Sequence, residues 1–528
     1  MSETVRTYTG AGNAPVRRRR RFSLRGKAIF LFIVLLIVAY AWWATRDTCP
    51  IVRLIPADQT YQVFAGDVLR TRDVLAQSKL LQALPPESGF GDLSAMLSGG
   101  TGIPEWILNN LMPDLCAVSG KDLRVLGDAL FITRMTRVGC LLMKLSRLMP
   151  GVESDPAGGL GLSRFSTGGR GSSRAAYFAV RGRVLAVSPS RNALIRALTL
   201  RPEDAETPQK MLDALAGVSA NDLHAILNLK PEDPLGGAFD TLTISARVEP
   251  ASWRVRLSGV LRKEWRGQFD GFLEDLTPVE LIAPPEGMLQ ISADFSKPLR
   301  DVWSIAAEFA GKRDEAESLW QKWSTPVPDA PLAAEQFATA LLGQLGPGIR
   351  VSLCGIDLNE MLPVPQVAAT LDADPEAVSA LFSTLPPLAA DAGRYSMKPQ
   401  YDASMNCVRW PLIGGPSMEP TAGIFGNALL VSSSRTIAET LLNAGLKEQK
   451  LPQKGNLYVT LQPNACATAI VDLAALLAEN GFLKGYTPDR VQQTAAPWLA
   501  TASAVKEITA IAACEKGGVN IDLAINGN

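Results

Sequence analysis

Few residues in this 528-residue chain are of the types and spacings that catalysis uses. His224 is the single histidine, so a Ser/His/Asp relay or a histidine-ligated metal would have to run through it. It stands in the apolar run Leu223 to Leu229, where a hydrogen-bonded structural imidazole is expected. Ser503-Ala504-Val505-Lys506 has the SxxK spacing that sets a serine nucleophile beside a lysine, and Ser219-Ala220-Asn221 has the accompanying SxN form. Their order is reversed and no KTG follows. The glycines of Ser166 to Ser173 lack the GK[ST] ending and the strand-to-helix step with which a loop cradles phosphate. The acid pairs Glu203-Asp204 and Asp314-Glu315 read as solvated helix starts. The expectation is that the chain is not an enzyme and carries no cofactor and no metal. An extracytoplasmic hydrolase with an unrecognised arrangement of serine or carboxylates stays open beside it.

Seven cysteines stand at 49, 116, 140, 354, 407, 466 and 514. None forms a CxxC pair, so neither a zinc ribbon nor a thioredoxin-like redox pair has support. Cys116, Cys140 and Cys354 lie in apolar runs and read as small buried hydrophobes. Cys466 and Cys514 form the candidate disulfide, with Cys407 as the competing partner for either. Their bridge would close a loop of about 48 residues and contribute around 4 kcal/mol in the chain-entropy account, less any strain.

The element that decides where any of this operates is Ala28 to Ala44, AIFLFIVLLIVAYAWWA, with no charged residue. A spanning helix takes roughly 20 apolar residues, and snorkelling by Lys27 with local thinning covers the small shortfall. Trp42 and Trp43 stand at the downstream end, where aromatic rings favour the headgroup layer. Upstream lie Arg17, Arg18, Arg19, Arg20, Arg21, Arg25 and Lys27, whereas only Arg46 follows closely, beside Asp47. The positive-inside rule then predicts a single pass through a membrane, with a cytoplasmic N-terminus and the bulk of the chain outside. The competing reading is a cleaved signal peptide with Ala39-Tyr40-Ala41 as its small-x-small site.

Net charge is zero over the whole chain, yet residues 1–27 hold eight Lys/Arg against one acid, leaving 44 basic and 51 acidic residues beyond them. Residues 1–27 are expected to be a disordered basic cytoplasmic tail, and 28–44 the anchor. The acidic remainder argues against a nucleic-acid partner. The partners expected are membrane lipid, through the anchor, and an envelope protein or lipid.

The remainder is too long for one hydrophobic core, and it repeats itself. Leu54-Ile55 matches Leu281-Ile282, Gln62-Val63 matches Gln290-Ile291, and Arg72-Asp73-Val74 matches Arg300-Asp301-Val302. Further on, the spacing pairs Cys116 with Cys354, Gly182 with Gly426, Ser188 with Ser432 and Leu223 with Leu457. Alternation at Leu242, Ile244, Ala246 and Val248, answered by Trp253, Val255 and Leu257, predicts a hairpin with one wet face. Val519 to Ile525 repeats it at the C-terminus. The second copy carries an insertion, a helix around Ala469 to Glu479 and the segment through Trp498. Gly151 to Ser173 reads as loop, Asp314 to Trp323 as an amphipathic helix, and Pro386-Pro387 as the end of a helix that Asp374 caps.

The fold class expected is α+β: an N-terminal transmembrane helix, then two tandem pseudo-equivalent halves, residues 50–275 and 276–528, each an antiparallel sheet with packed helices. A doubly wound nucleotide fold is disfavoured for want of βαβ alternation and a glycine fingerprint. LIPADQTYQVF, KLLQAL at Lys79 to Leu84, and the steps Val187-Ser188-Pro189-Ser190 and Val431-Ser432-Ser433-Ser434 resemble bacterial single-pass, membrane-anchored extracytoplasmic repeat proteins of unknown function. That resemblance implies fold and topology and brings no catalytic residue. The function expected is a membrane-anchored binding or scaffold module of the cell envelope, with a lipid or acyl-chain carrier as a further alternative.

Overall fold

A computed structural model describes most of the chain from Leu24 onward; residues 1–23, 83–103, 206–221, 270–280, 325–340 and 392–399, with shorter stretches between elements, lie outside the description. The earlier strands are β1 (Tyr61–Gly66), β2 (Leu115–Gly120), β3 (Leu130–Arg134), β4 (Val152–Asp155), β5 (Leu162–Thr167), β6 (Arg174–Arg181), β7 (Val184–Ser188), β8 (Leu223–Asn228), β9 (Phe239–Val248) and β10 (Ser252–Leu261). The later ones are β11 (Leu281–Ala283), β12 (Leu289–Asp294), β13 (Leu345–Asp357), β14 (Val364–Ala373), β15 (Gln400–Asp402), β16 (Cys407–Arg409), β17 (Thr421–Phe425), β18 (Ala428–Ser432), β19 (Lys447–Gln449), β20 (Leu457–Leu461), β21 (Val505–Glu515) and β22 (Gly518–Gly527). Helices are α1 (Leu24–Ala44), α2 (Val68–Gln77), α3 (Lys79–Gln82), α4 (Glu105–Leu111), α5 (Arg137–Ser146), α6 (Arg191–Leu198), α7 (Lys263–Phe269), α8 (Arg313–Ser324), α9 (Pro375–Asp391), α10 (Arg435–Ala444), α11 (Pro463–Glu479) and α12 (Pro488–Ala504).

Among the described residues, all strands but β11 and β19 join one 20-stranded sheet. From one edge its neighbours run β4-β5-β6-β7-β3-β2-β1-β8-β9-β10, antiparallel throughout. β10 then pairs with β22, and the order continues β22-β21-β20-β12-β13-β14-β18-β17-β16-β15, again antiparallel. The mixed α+β architecture is therefore as the alternation of strand and helix patterns predicts. Both edge strands, β4 and β15, are very short, which limits the ladder they offer to another chain.

Period-two patterning sets the faces. Leu257 lies between Ile244 and Ile521, and Val255 between Ala246 and Leu523, so one face of the central strands is apolar from β9 across to β22. The neighbouring positions Ser245, Arg256 and Asp522 place polar groups on the other face. Away from the centre the apolar faces are sealed by helices. Phe64, Ile132, Leu162 and Leu194 form one core, and Val378, Phe382, Val408 and Leu429 another.

The serine-capped helices form as the sequence predicts: Ser190 Oγ accepts from Ala193 N at 3.3 Å, and Ser434 Oγ from Ile437 N at 3.2 Å. Those bonds satisfy donors that a first helical turn leaves open. Asp374 Oδ1 likewise accepts from Glu376 N and Ala377 N. Pro386-Pro387 does not end the helix, since α9 runs on to Asp391; a proline removes its own N–H and bends a helix without always stopping it. Gly151 to Ser173 is not simply loop either. It supplies β4 and β5, because Leu162 is fully buried in the first core and repays the ordering of a Gly/Ser-rich stretch. Glu203-Asp204 lie in a turn, where the Asp204 carbonyl takes the Ala57 N–H at 3.0 Å. Asp314-Glu315 do open a helix, α8. Between β20 and β21 lie α11 and α12, over the stretch where the sequence predicts an insertion.

Candidate functional surface at the anchor junction

Among the described residues, a sequence-predicted functional element meets the folded domain at the downstream end of α1. Of the residues flanking the anchor, Arg25 and Lys27 lie in the first turn of α1, and Arg17, Arg18, Arg19, Arg20 and Arg21 lie outside the described residues. Along the helix Phe32, Leu35, Leu36, Val38, Trp42 and Trp43 are all exposed. Apolar side chains turned outward on every face suit a lipid environment and not an aqueous one. Among the described residues no helix is long and apolar enough to cross a membrane. The side chains of α1 are described only for 32–36 and 38–44, fewer than the roughly 20 that a span takes.

Residues 45–50 form a segment docked on the folded domain. Thr45 is buried and returns its hydroxyl to the Ala41 carbonyl at 2.7 Å. Asp47 pairs with Arg134. Thr48 packs against Gly182, a left-handed turn glycine (φ +58°) at which a Cβ would meet the Thr48 backbone at 2.9 Å. Ile51, Leu54 and Ile55 then enter the first core. From the other side, the Arg137 guanidinium lies 3.7 Å from the centroid of the Trp42 ring, and Lys144 Nζ donates to the Ala44 carbonyl. A cation on the ring face and a donor on the last carbonyl are both favourable at a helix C-terminus. The helix that carries them, α5, is locked to α4: Thr136 N donates to the Asn110 carbonyl at 2.9 Å, and Gly139 lets that carbonyl approach so closely that a Cβ would lie 2.1 Å from it. Gly139→Ala is therefore expected to force the two helices apart and cost about 1–3 kcal/mol, read as a lowered thermal midpoint of the purified protein.

The residues singled out for chemistry are dispersed. His224 is buried in β8, its Nδ1 2.9 Å from Ser245 Oγ. Asp222, two positions before it, accepts from Val248 N instead. Burial holds the imidazole pKa below its ordinary value. The unfolded chain therefore takes up a proton at a pH where the folded chain does not, so stability is retained above the unfolded value near 6.5 and lost as pH falls below it. Because His224 is the single histidine, the loss of stability between pH 6.5 and 5 is expected to shrink in His224→Gln, measured by denaturant titration at both pH values.

Ser503 Oγ donates to Asn464 Oδ1 at 2.9 Å, an amide and not a base. Ser219-Ala220-Asn221 and most of the Ser166 to Ser173 glycine stretch lie outside the described residues. Among the described residues no group of three or more His, Cys, Asp or Glu gathers where it could hold a metal.

Cys49, Cys116, Cys140, Cys354, Cys407 and Cys466 are free thiols, of which Cys116, Cys140 and Cys407 are buried and Cys354 is half-buried. Desolvation raises the pKa of Cys116, Cys140, Cys407 and Cys466, which keeps them protonated and poorly nucleophilic. Of the candidate disulfide's two partners, Cys466 is a free thiol and the side chain of Cys514 lies outside the described residues. Leu461 pairs with Ile508 and Leu457 with Ala512, so Cys466 follows one end of the β20–β21 ladder and Cys514 lies past the other. Six residues of strand separate those levels, roughly 20 Å at the rise of an extended chain, against a Cα separation below about 7 Å that a bridge needs. Cys466 instead turns its Sγ to the Met288 carbonyl at 3.4 Å. The ladders bear on the expected match of Cys116 to Cys354 only if Gln62 is set on Gln290. Gln62 faces Ser119 and Gln290 faces Ser352, which aligns Cys116 with Ile349; Cys354 falls in an irregularity between Leu353 and Gly355.

No family model and no curated protein matches the chain. Among solved structures it is similar to crystal forms III, I and IV of TP0453, at TM-scores of 0.25, 0.24 and 0.24 and 7%, 8% and 9% identity. These matches cover 41%, 41% and 44% of this chain and 81%, 81% and 88% of the other. Likeness at that level is distant and carries no functional argument.

Proposed function

We propose that the protein is a non-enzymatic, single-pass module of the bacterial cell envelope, anchored through α1, whose extracytoplasmic part is a duplicated sheet that presents a surface to an envelope protein or lipid partner. The observation that carries the anchoring is α1 itself, apolar and exposed on all sides yet fastened at its downstream end by Trp42, Ala44 and Asp47.

The duplication is supported by the strand order, which reads the same outward from the β10–β22 seam in both directions. Under this reading residues 50–275 and 276–528 are equivalent units, with Ser188 equivalent to Ser432 and Leu223 to Leu457. Val255 and Ile521 are 266 apart, as are Arg256 and Asp522, and Leu257 and Leu523. Across the seam Val255 faces Leu523, Leu257 faces Ile521, and Arg256 faces Asp522. A two-fold operation exchanging the units thus passes through the Arg256–Asp522 pair.

The surface offered to a partner is the central apolar face. Leu242, Ile244, Val255, Leu257, Ile521 and Leu523 all remain half-buried there, whereas Ile132 and Leu429 in the flanking cores are sealed. The test is carbonate washing of membranes holding the full-length protein. It is expected to stay in the membrane fraction with Met1-proximal sequence intact by mass. A soluble species beginning near Trp42 would replace this reading with a secreted one.

A further inference from the structure

We propose that the outer face of α5, together with Trp106 of α4, rests on the outer leaflet of the membrane that α1 enters, so that the domain is held on the bilayer in one orientation. The inference rests on the anchored reading above. It starts from the two faces of α5. Cys140 and Met143 turn inward with Met135, Phe178 and Leu185. Val138 and Leu145, seven positions apart and so on one side of the helix, are 52% and 56% exposed, and Trp106 on the adjoining helix is 55% exposed. A ten-residue helix that is apolar on its solvent side as well as its core side is missing a partner.

The anchor says what that partner is. Arg137 stacks on Trp42, and Lys144 reaches Ala44. These two positions are about 10 Å apart along α5, yet both meet α1 within its last three residues. α5 therefore crosses the end of α1 at one level and does not run on along its axis. Tryptophan at the end of a span lies at headgroup depth, which puts α5 at that depth too. Apolar side chains flanked by Arg and Lys stems are the composition that settles at such an interface, with the cations turned to lipid phosphate. Asp47, in the junction segment, pairs with Arg134, and Arg137 and Lys144, in contact with the end of α1, bring two cations to the same depth as lipid phosphate.

The test places the full-length protein in vesicles of phosphatidylethanolamine and phosphatidylglycerol that carry a photoactivatable diazirine just below the headgroup, and maps labelled peptides. Labelling is expected in 105–111 and 137–146 as well as in 24–44. Val138→Glu with Leu145→Glu is expected to abolish labelling of 137–146 and to leave that of 24–44 unchanged. Val138→Ala with Leu145→Ala, which introduces no charge, should reduce it partially. Labelling confined to 24–44, or labelling of 137–146 indifferent to both double variants, overturns the proposal; a protein partner on α5 would give the first of these patterns. Absence of label from 24–44 overturns the anchored reading itself, and the docking with it.

Discussion

A reporter enzyme active only outside the cytoplasm, fused after Asn528, is expected to be active, and a reporter active only inside is expected to be silent. The effect is close to all-or-none, because a single span has two orientations and the charge bias selects one. Counting Lys and Arg within reach of the span, Arg6, Arg17 to Arg21, Arg25 and Lys27 stand before it and Arg46 and Arg53 after it. Under the anchored reading, the excess on the N-terminal side is expected to retain that side in the cytoplasm. Changing Arg17, Arg18, Arg19, Arg20, Arg21, Arg25 and Lys27 together to glutamine leaves one basic residue before the span against two after it, and reporter activity should fall sharply. Full activity in that variant would show that the basic block does not set the topology. The contacts of Trp42 and Ala44 with α5 add an independent reason for the bulk of the chain to follow the downstream end, since the folded domain grips that end of the helix.

What the sequence made legible was local. The alternation of Leu242 to Leu257 and of Val519 to Ile525 translates directly into strands that pair with one another, because the period of a strand is carried by consecutive residues. Ser190 and Ser434 cap helices for the same reason: the donors they satisfy are three residues away. The junction was illegible because its contacts join residues about a hundred apart, Asp47 to Arg134, Trp42 to Arg137 and Ala44 to Lys144, and each of these residues looks ordinary in its own neighbourhood. The cysteine expectations turn on register. Matching Cys116 to Cys354 followed residue type, whereas register follows the ladder: with Gln62 set on Gln290, Cys116 falls at Ile349, five positions from Cys354. The bridge between Cys466 and Cys514 assumed that two residues near the same strand pair lie near each other; in an antiparallel pair they can mark opposite ends. β4 and β5 were hidden by composition, since glycine and serine signal a loop until the burial of one leucine, Leu162, decides otherwise.

The seam between β10 and β22 carries the second large effect. Residues 270–280 follow α7 and precede β11, so a protease site inserted there and cut leaves two chains joined only by non-covalent contacts, chief among them the β10–β22 ladder from Ser252↔Asn526 to Val260↔Gly518. The cut protein is expected to elute as one species. Leu257→Asp should separate it. Leu257 stands between Ile244 and Ile521 on the apolar face, and a carboxylate there loses apolar burial while gaining no partner, a cost of about 2–4 kcal/mol for a half-buried site. Arg256→Ala, one residue away, is the control. Its ion pair with Asp522 is 2.5 Å long, but the side chains are 66% and 39% exposed, and an exposed pair contributes about 0–1 kcal/mol. The two substitutions touch the same strand and the same neighbour, so the contrast isolates the face. If Arg256→Ala parts the cut chains and Leu257→Asp does not, the polar face holds the seam and the apolar face is free of that duty. If the cut protein with no substitution already separates, β10 and β22 do not join two units strongly enough for a shared sheet to be the basis of the molecule.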